Sequence, residues 1–333
     1  MQPVLDELHP LTATVLSPDA HNTIDSWGPP RPDDVLARPL FRQRHRWIWR
    51  SMWIVPGIVA TVLGYGAVIA VPVIFAFYFP FEHIFRRHRR PVRRPELSTD
   101  LAYIALQPVL QFIGLVAAAI VAVASLAWLP ALLLRPLVTS LPAVPMAIVG
   151  SLMLDLMIYW AHRIEHEVPV LWRIHAVHHS SRNLDGVAAF RNHPLDGVFA
   201  APAFVFVLAA GIPLKMVGAF AALQFATGIF AHANVRWRLR PLHKLVMTPD
   251  LHHWHHSNEM QAWNTNYATL LPLWDIVFGT YYMPADRRPQ RYGIDAPMPS
   301  TLIGQLREPL PAVREALSSL WSMARRKHRG VAA

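Results

Sequence analysis

The sequence predicts an all-α integral membrane protein, and three observations predict it. Apolar runs lie at about 52–79, 101–134, 143–160 and 198–231; each reaches or exceeds the range of roughly 17–25 residues that carry a helix across a bilayer. Only 16% of the 333 residues are charged while 53% are hydrophobic, against about 25% charged in a soluble domain. The chain also holds 12 Trp, a residue that collects at lipid–water interfaces. Together these describe a multi-pass bundle of about four transmembrane helices.

The elements follow in order. Residues 1–45 are rich in Pro, Asp and Arg without periodicity and form a polar tail. No short apolar core of a signal peptide occurs there, so the first spanning helix is expected to direct its own insertion. Residues 46–300 are the membrane-embedded domain. Its first run is uncharged and contains Pro56 and Pro72, which a membrane helix tolerates. The cluster Arg86-Arg87-His88-Arg89-Arg90 with Arg93-Arg94 follows at once and places that end in the cytoplasm by the positive-inside rule. The second run is long for one span, and Pro108 and Pro130 are expected to trim it. The third, Ala143 to Trp160, carries one charge, Asp155, and passes directly into histidines. The fourth is interrupted by Gly211-Ile-Pro-Leu-Lys215 and reads as two short helices or a broken one. Three complete spans between residues 90 and 160 would put them on opposite sides of the membrane, two on the same side. Residues 301–333 form an amphipathic basic tail: apolar residues recur at helical spacing from Leu310 to Trp321 before Arg325-Arg326-Lys327. A membrane-surface helix and an ordinary docked terminal helix both fit.

Charge and cysteine content narrow the chemistry. The formal net charge is +10. Much of it lies beside apolar runs, and no nucleic-acid-binding motif accompanies it, so an anionic membrane surface is the expected partner and nucleic acid is not. There are no cysteines, which excludes disulfides, iron–sulfur clusters and thiolate-held zinc. Any metal must sit on imidazole and carboxylate.

Twelve of the 18 histidines fall between positions 162 and 256. His162 and His166 are spaced i, i+4. His175, His178 and His179 are i, i+3, i+4, and His252, His255 and His256 repeat that pattern. On a helix each set occupies one face. Imidazole binds iron, copper, zinc and nickel. A single zinc takes four ligands, so eight neutral donors suit two metal ions. Asp155 precedes His162 by seven residues, on nearly the same helical face, and is a candidate to orient a ligand ring. Glu165 and Glu167 are further candidates with an ordinary surface role as the alternative. An isolated histidine is usually structural; three repeated sets set in varied, aromatic sequence point to a built site rather than a loose metal-storage tract.

The joint pattern resembles the fatty acid hydroxylase/sterol desaturase superfamily of membrane-bound non-haem di-iron oxygenases. The likeness covers roughly residues 80–285. It is carried by Asp155-Leu-Met-Ile-Tyr-Trp-Ala-His-Arg-Ile-Glu-His166, Trp172-Arg-Ile-His-Ala-Val-His-His-Ser180, Arg191-Asn-His-Pro194, His232-Ala-Asn234, Thr248-Pro-Asp-Leu-His-His-Trp-His-His-Ser257, Asn266-Tyr267 and Trp274-Asp-Ile-Val-Phe-Gly-Thr280. The resemblance implies two irons in a cytoplasm-facing helical histidine cap on the membrane bundle. It also implies O2-dependent hydroxylation or desaturation of a lipid drawn from the bilayer. Position by position it implies His162, His166, His175, His178, His179, His252, His255 and His256 as ligands. His193 and His232 match further histidines between the second and third motifs, and Asn234 is a candidate to position a ligand or water. His253 and His243 have no such match.

No dinucleotide fingerprint, P-loop or nucleophile elbow occurs, and the 1–45 tail has no room for a haem domain. Electrons are therefore expected from a separate ferredoxin- or cytochrome-type donor. The rivals are a membrane metallohydrolase, which would use a metal-activated water and usually a mixed carboxylate–histidine shell, and a non-redox metal-binding or transport protein, which would place ionisable residues along its spans. Substrate identity and the choice between hydroxylation and desaturation are not legible.

Overall fold

The structure is a computed structural model that describes residues 80–88, 94, 96–126 and 128–331. The polar tail, the first apolar run and residues 89–93 of the basic cluster lie outside the described residues. Among the described residues there is no strand, only two isolated β-bridges. Ten α-helices follow the helical segment 80–85: α1 Leu97–Ala124, α2 Trp128–Thr139, α3 Ala143–Glu167, α4 Pro169–His179, α5 Ala201–Ala209, α6 Leu214–Ala231, α7 Pro249–His255, α8 Leu273–Val277, α9 Leu302–Arg307 and α10 Leu310–Val331.

Among the described residues two helices, α3 and α6, are long and apolar enough to cross a membrane. A third span exists if the bent pair Phe112–Ala124 and Trp128–Thr139 is one. At 1.5 Å per residue, the 25 residues of α3 extend about 37 Å. Large apolar side chains stand exposed along α1 and α2, among them Phe112, Leu115, Ile120, Val123 and Leu133. A contiguous apolar face of this kind belongs against lipid rather than water.

The second apolar run does not break at its prolines. Pro108 lies inside α1, and Pro130 sits in the first turn of α2, where a missing N–H costs nothing. The chain bends instead after Ser125, by 82° between the two helices, with Leu126 at φ 54°. The fourth run divides as its Gly–Pro interruption predicts. Gly211, at φ 97°, ends α5: its N–H donates to Leu208 O and the Ile212 N–H to Val207 O. That left-handed turn favours glycine, and a Cβ there would meet Thr139 Cγ2 at 2.6 Å.

A core of Leu154, Val207, Ile212, Val217 and Phe220 joins α3, α5 and α6. A second apolar group, Tyr159, Ala231, Met247, Leu251, Tyr267 and Ala268, lies at the histidine-bearing ends of α3 and α6. The last helix reaches Val331, further than the 310–321 pattern predicts, and leaves Leu317 and Trp321 exposed.

Candidate metal centre

Local sequence dictates how each histidine arrives. Pro169 disfavours helical geometry at the residue before it. Val168 is accordingly extended (φ −97°, ψ 116°), and the chain turns there from α3 into α4. That turn lays His162 and His166 of α3 against His175 and His179 of α4. Thr248 caps α7 by accepting from the Leu251 N–H at 3.5 Å, with Pro249 at the first helical position, a favoured arrangement. His252, His255 and His256 follow within one turn. His232 terminates α6, and its Nδ1 donates to Gly228 O at 2.7 Å.

Nine imidazoles converge into two adjoining groups. His162, His166, His175, His179 and His255 form one; His178, His232, His252 and His256 form the other. In each, one nitrogen per ring lies within 4.8 Å of all the others. The i, i+3, i+4 spacing thus serves both groups at once: α4 gives His175 and His179 to the first and His178 to the second, and α7 gives His255 to the first and His252 and His256 to the second. The His179 and His256 rings stack across the boundary, 4.1 Å between centroids.

Proton positions follow from the outward-facing nitrogens. Nδ1 of His162 donates to Tyr267 O (2.7 Å), that of His255 to Thr265 O (2.8 Å) and that of His178 to Arg191 O (3.2 Å). A carbonyl only accepts, so in each neutral ring Nδ1 holds the hydrogen and Nε2 presents a lone pair. His178 Nε2 and His232 Nε2 nevertheless face each other at 3.1 Å. Two lone pairs at that distance require a cation between them. A proton is disfavoured: burial pushes His178 well below the usual imidazole range and His232 down to about 4. A metal ion is the fitting occupant. The other Nε2 pairs, His162–His175 (3.1 Å), His232–His252 (3.2 Å) and His252–His256 (3.1 Å), have the spacing of neighbouring donors around one ion with bonds of about 2.1 Å. Nε2 of His166, His179 and His255 is buried without any hydrogen-bond partner, the expected state of donors meant for a metal.

Negative charge enters at one edge. Asp196 Oδ1 lies 2.8 Å from His175 Nδ1, and Glu165 Oε2 lies 3.8 Å from it. Burial works against a charged His175, but the two carboxylates outweigh it and raise this ring above its usual range. A carboxylate behind a ligand imidazole fixes its tautomer and increases its basicity.

Three candidates stand elsewhere. His193 is not in either group: its Nε2 meets Leu306 O of α9 at 3.1 Å and its Nδ1 accepts from the Leu195 N–H within its own loop at 3.1 Å. Asp155 orients no histidine. It accepts from Gln224 Nε2, the Leu271 N–H and Trp274 Nε1, because seven residues along a helix rise about 10.5 Å, beyond side-chain reach of His162. Asn234 pairs both ways with the His88 backbone and holds two loops together. His253 is wholly structural, between Tyr292 Oη and Ala233 O. Glu167 pairs with Arg163 at the surface, as its ordinary reading expects.

The supports that spacing does not reveal are backbone carbonyls and what holds them. Asp275, fully buried, accepts from the Tyr267 N–H (2.8 Å), the Ala268 N–H (3.0 Å) and Thr280 Oγ1 (2.7 Å). Asn266, at φ 56°, bridges Leu251 O and Tyr282. They fix the segment whose Thr265 and Tyr267 carbonyls aim His255 and His162. On the other group, the Arg191 guanidinium is locked on buried Asp100, and its own carbonyl aims His178.

Residues 147–280 match the profile of the fatty acid hydroxylase family. The chain is 34% identical over 175 residues to the ornithine lipid hydroxylase OlsE of Rhizobium tropici, covering 50% of this chain and 51% of that protein. It is 30% identical over 164 residues to human alkylglycerol monooxygenase (49% and 35%) and 26% identical over 152 residues to a methylsterol monooxygenase of Aspergillus fumigatus (43% and 49%). The matches span about half or less of the length of these relatives. No solved structure matches significantly. Residues 147–280, the region that gathers the nine imidazoles, thus resemble the fatty acid hydroxylase family and these lipid hydroxylases and monooxygenases.

Proposed function

We propose that this protein is a multi-pass membrane oxidoreductase that hydroxylates an unactivated C–H bond of a lipid, with two irons held by the nine imidazoles. The observation that carries the reading is the pair of adjoining all-imidazole groups, in which Nε2 of His162, His178, His232 and His255 presents a lone pair because Nδ1 donates to a backbone carbonyl. Bound irons would supply reductive activation of O2 for hydrogen removal from carbon, in the balance R–H + O2 + 2 electrons + 2 H+ giving R–OH + H2O. A separate ferredoxin- or cytochrome-type protein supplies the electrons.

The chain's own residues do the rest. Tyr267 O, Thr265 O, Arg191 O, Gly228 O and Asp196 hold five rings at fixed angles and in one tautomer. Burial keeps His178 and His232 neutral, while Asp196 holds His175 from behind. The exposed apolar faces of α1 and α2 set the protein against the hydrocarbon in which such a lipid lies. The basic cluster at 86–94 supports a cytoplasmic histidine face by the positive-inside rule. Hydroxylation is favoured over desaturation because the relatives are named as hydroxylases and monooxygenases, and their names support a lipid substrate.

The test is turnover by purified, iron-loaded protein under 18O2 with a chemical or ferredoxin-type reductant and extracted host lipids. The expected result is a lipid product 18 mass units heavier that carries one labelled oxygen and depends on both O2 and iron. A product two units lighter without label would identify a desaturase. Lipid conversion by iron-free protein, or conversion without O2, overturns the oxygenase reading and favours a hydrolase.

A further inference from the structure

A basic cavity of about 260 Å3 lies apart from the histidine cage, between residues 238–244, the start of α7 and residues 281–288. Arg238, Arg240, Lys244, Arg287 and Arg288 line it together with His243, and Asp250 is the carboxylate among its lining residues. Two of these cations are already balanced: Arg288 bonds Asp250 at 2.8 Å and Arg287 bonds Glu259 at 2.9 Å. Arg238, Arg240 and Lys244 leave the cavity with an excess of three positive charges.

One wall is polar and unsatisfied. The His243 side chain is only 6% exposed; its Nε2 stands 3.7 Å from Asp250 Oδ2, beyond hydrogen-bond distance, and has no partner. Arg288 Nε, also buried, has none either. A buried donor without an acceptor is costly; Arg288 Nε is one, and His243 Nε2 becomes a second once it carries a hydrogen, so this cation-lined hollow calls for an oxygen-rich anion. A tetrahedral oxyanion offers acceptors in several directions at once, which suits guanidinium and ammonium groups arriving from different segments. The volume is below the roughly 300–1,000 Å3 of sites that engulf a drug-sized molecule, so it suits an anionic group rather than a whole lipid.

We propose that this cavity binds a phosphate-class oxyanion, free or carried on a lipid headgroup. The inference does not rest on the metal reading. The probes are inorganic phosphate and a short-chain lysophosphatidate, titrated by calorimetry into the full chain in a neutral detergent at constant ionic strength. Variants are Arg240→Gln/Lys244→Gln and the single charge reversal Lys244→Glu at an exposed position. Saturable binding at one site per chain supports the proposal if the double variant weakens it about tenfold, as loss of two lining charges near an anion predicts, with unchanged melting temperature and metal content. Equal affinity for both probes identifies a free anion as the ligand, and much tighter lysophosphatidate binding identifies a headgroup. Absence of saturable binding, or binding that neither variant weakens, overturns the proposal.

Discussion

Replacing Asp275 by alanine tests whether the histidine cage depends on a residue that touches no histidine. The carboxylate is fully buried and accepts from the Tyr267 and Ala268 amides and from Thr280 Oγ1. In Asp275→Ala the Thr280 hydroxyl keeps Tyr159 Oη at 2.9 Å, but two buried amides lose their acceptor. At about 1–3 kcal/mol each, the loss is roughly 2–6 kcal/mol, a large fraction of the 5–15 kcal/mol typical of a folded domain. Asp275→Asn retains one acceptor oxygen but turns its NH2 toward an amide N–H, and about half that loss is expected. The functional consequence is selective. Tyr267 O is freed to move, His162 loses its orienting acceptor, and affinity of the first group for metal drops about 10–100-fold, the usual effect of removing a ligand's support. The second group, aimed by Arg191 O and Gly228 O, keeps its ion. The assay pairs thermal melting in detergent with metal per chain after dialysis against a graded chelator. The predicted result is a lower melting temperature and loss of one of two metals at a chelator strength the wild type resists. An Asp275→Ala protein that melts normally and keeps both metals would refute the coupling between this support and the cage.

Other substitutions separate the two groups. His255→Ala is expected to empty the five-histidine group and His178→Ala the four-histidine group; each should abolish lipid turnover while one metal per chain remains by elemental analysis. His193→Gln should keep both metals and lose about 1 kcal/mol of stability through its bond to Leu306 O, read as a small fall in melting temperature. Metal-free protein should weaken as pH falls. Burial holds His232 down to about 4, whereas an unfolded imidazole takes its proton near 6.5. The unfolded state binds more protons in that window, so stability is full above about pH 6.5 and declines toward pH 4, by roughly 3 kcal/mol from this residue alone. A metal-free melting temperature that is flat from pH 7.5 to 5 would contradict it.

What the sequence discloses and what it hides divide along physical lines. The convergence of histidines is legible because helical spacing puts residues three and four apart on one face, and Pro169 and Pro249 mark where the bearing helices begin. The partition of one spacing between two groups is not legible, since it depends on how α3, α4 and α7 cross. His193 sits in a motif-like stretch, yet its loop directs it to α9. Asp155 shares a face with His162 but not a level along the axis. The real supports escape because a backbone carbonyl has no residue signature, and because Asp196 reaches His175 across a 21-residue separation. The bend after Ser125 carries no proline to announce it. The interruption at 211–215 does announce itself, because a left-handed turn needs glycine.

The central claim is that nine imidazoles hold two irons in adjoining sites. Mössbauer spectroscopy of 57Fe-loaded protein, with iron counted per chain, tests it most directly. Two irons per chain in nitrogen-dominated environments are expected, with one signal lost in His255→Ala and the other in His178→Ala. A single iron per chain, or an active protein whose only bound metal is zinc, would contradict it.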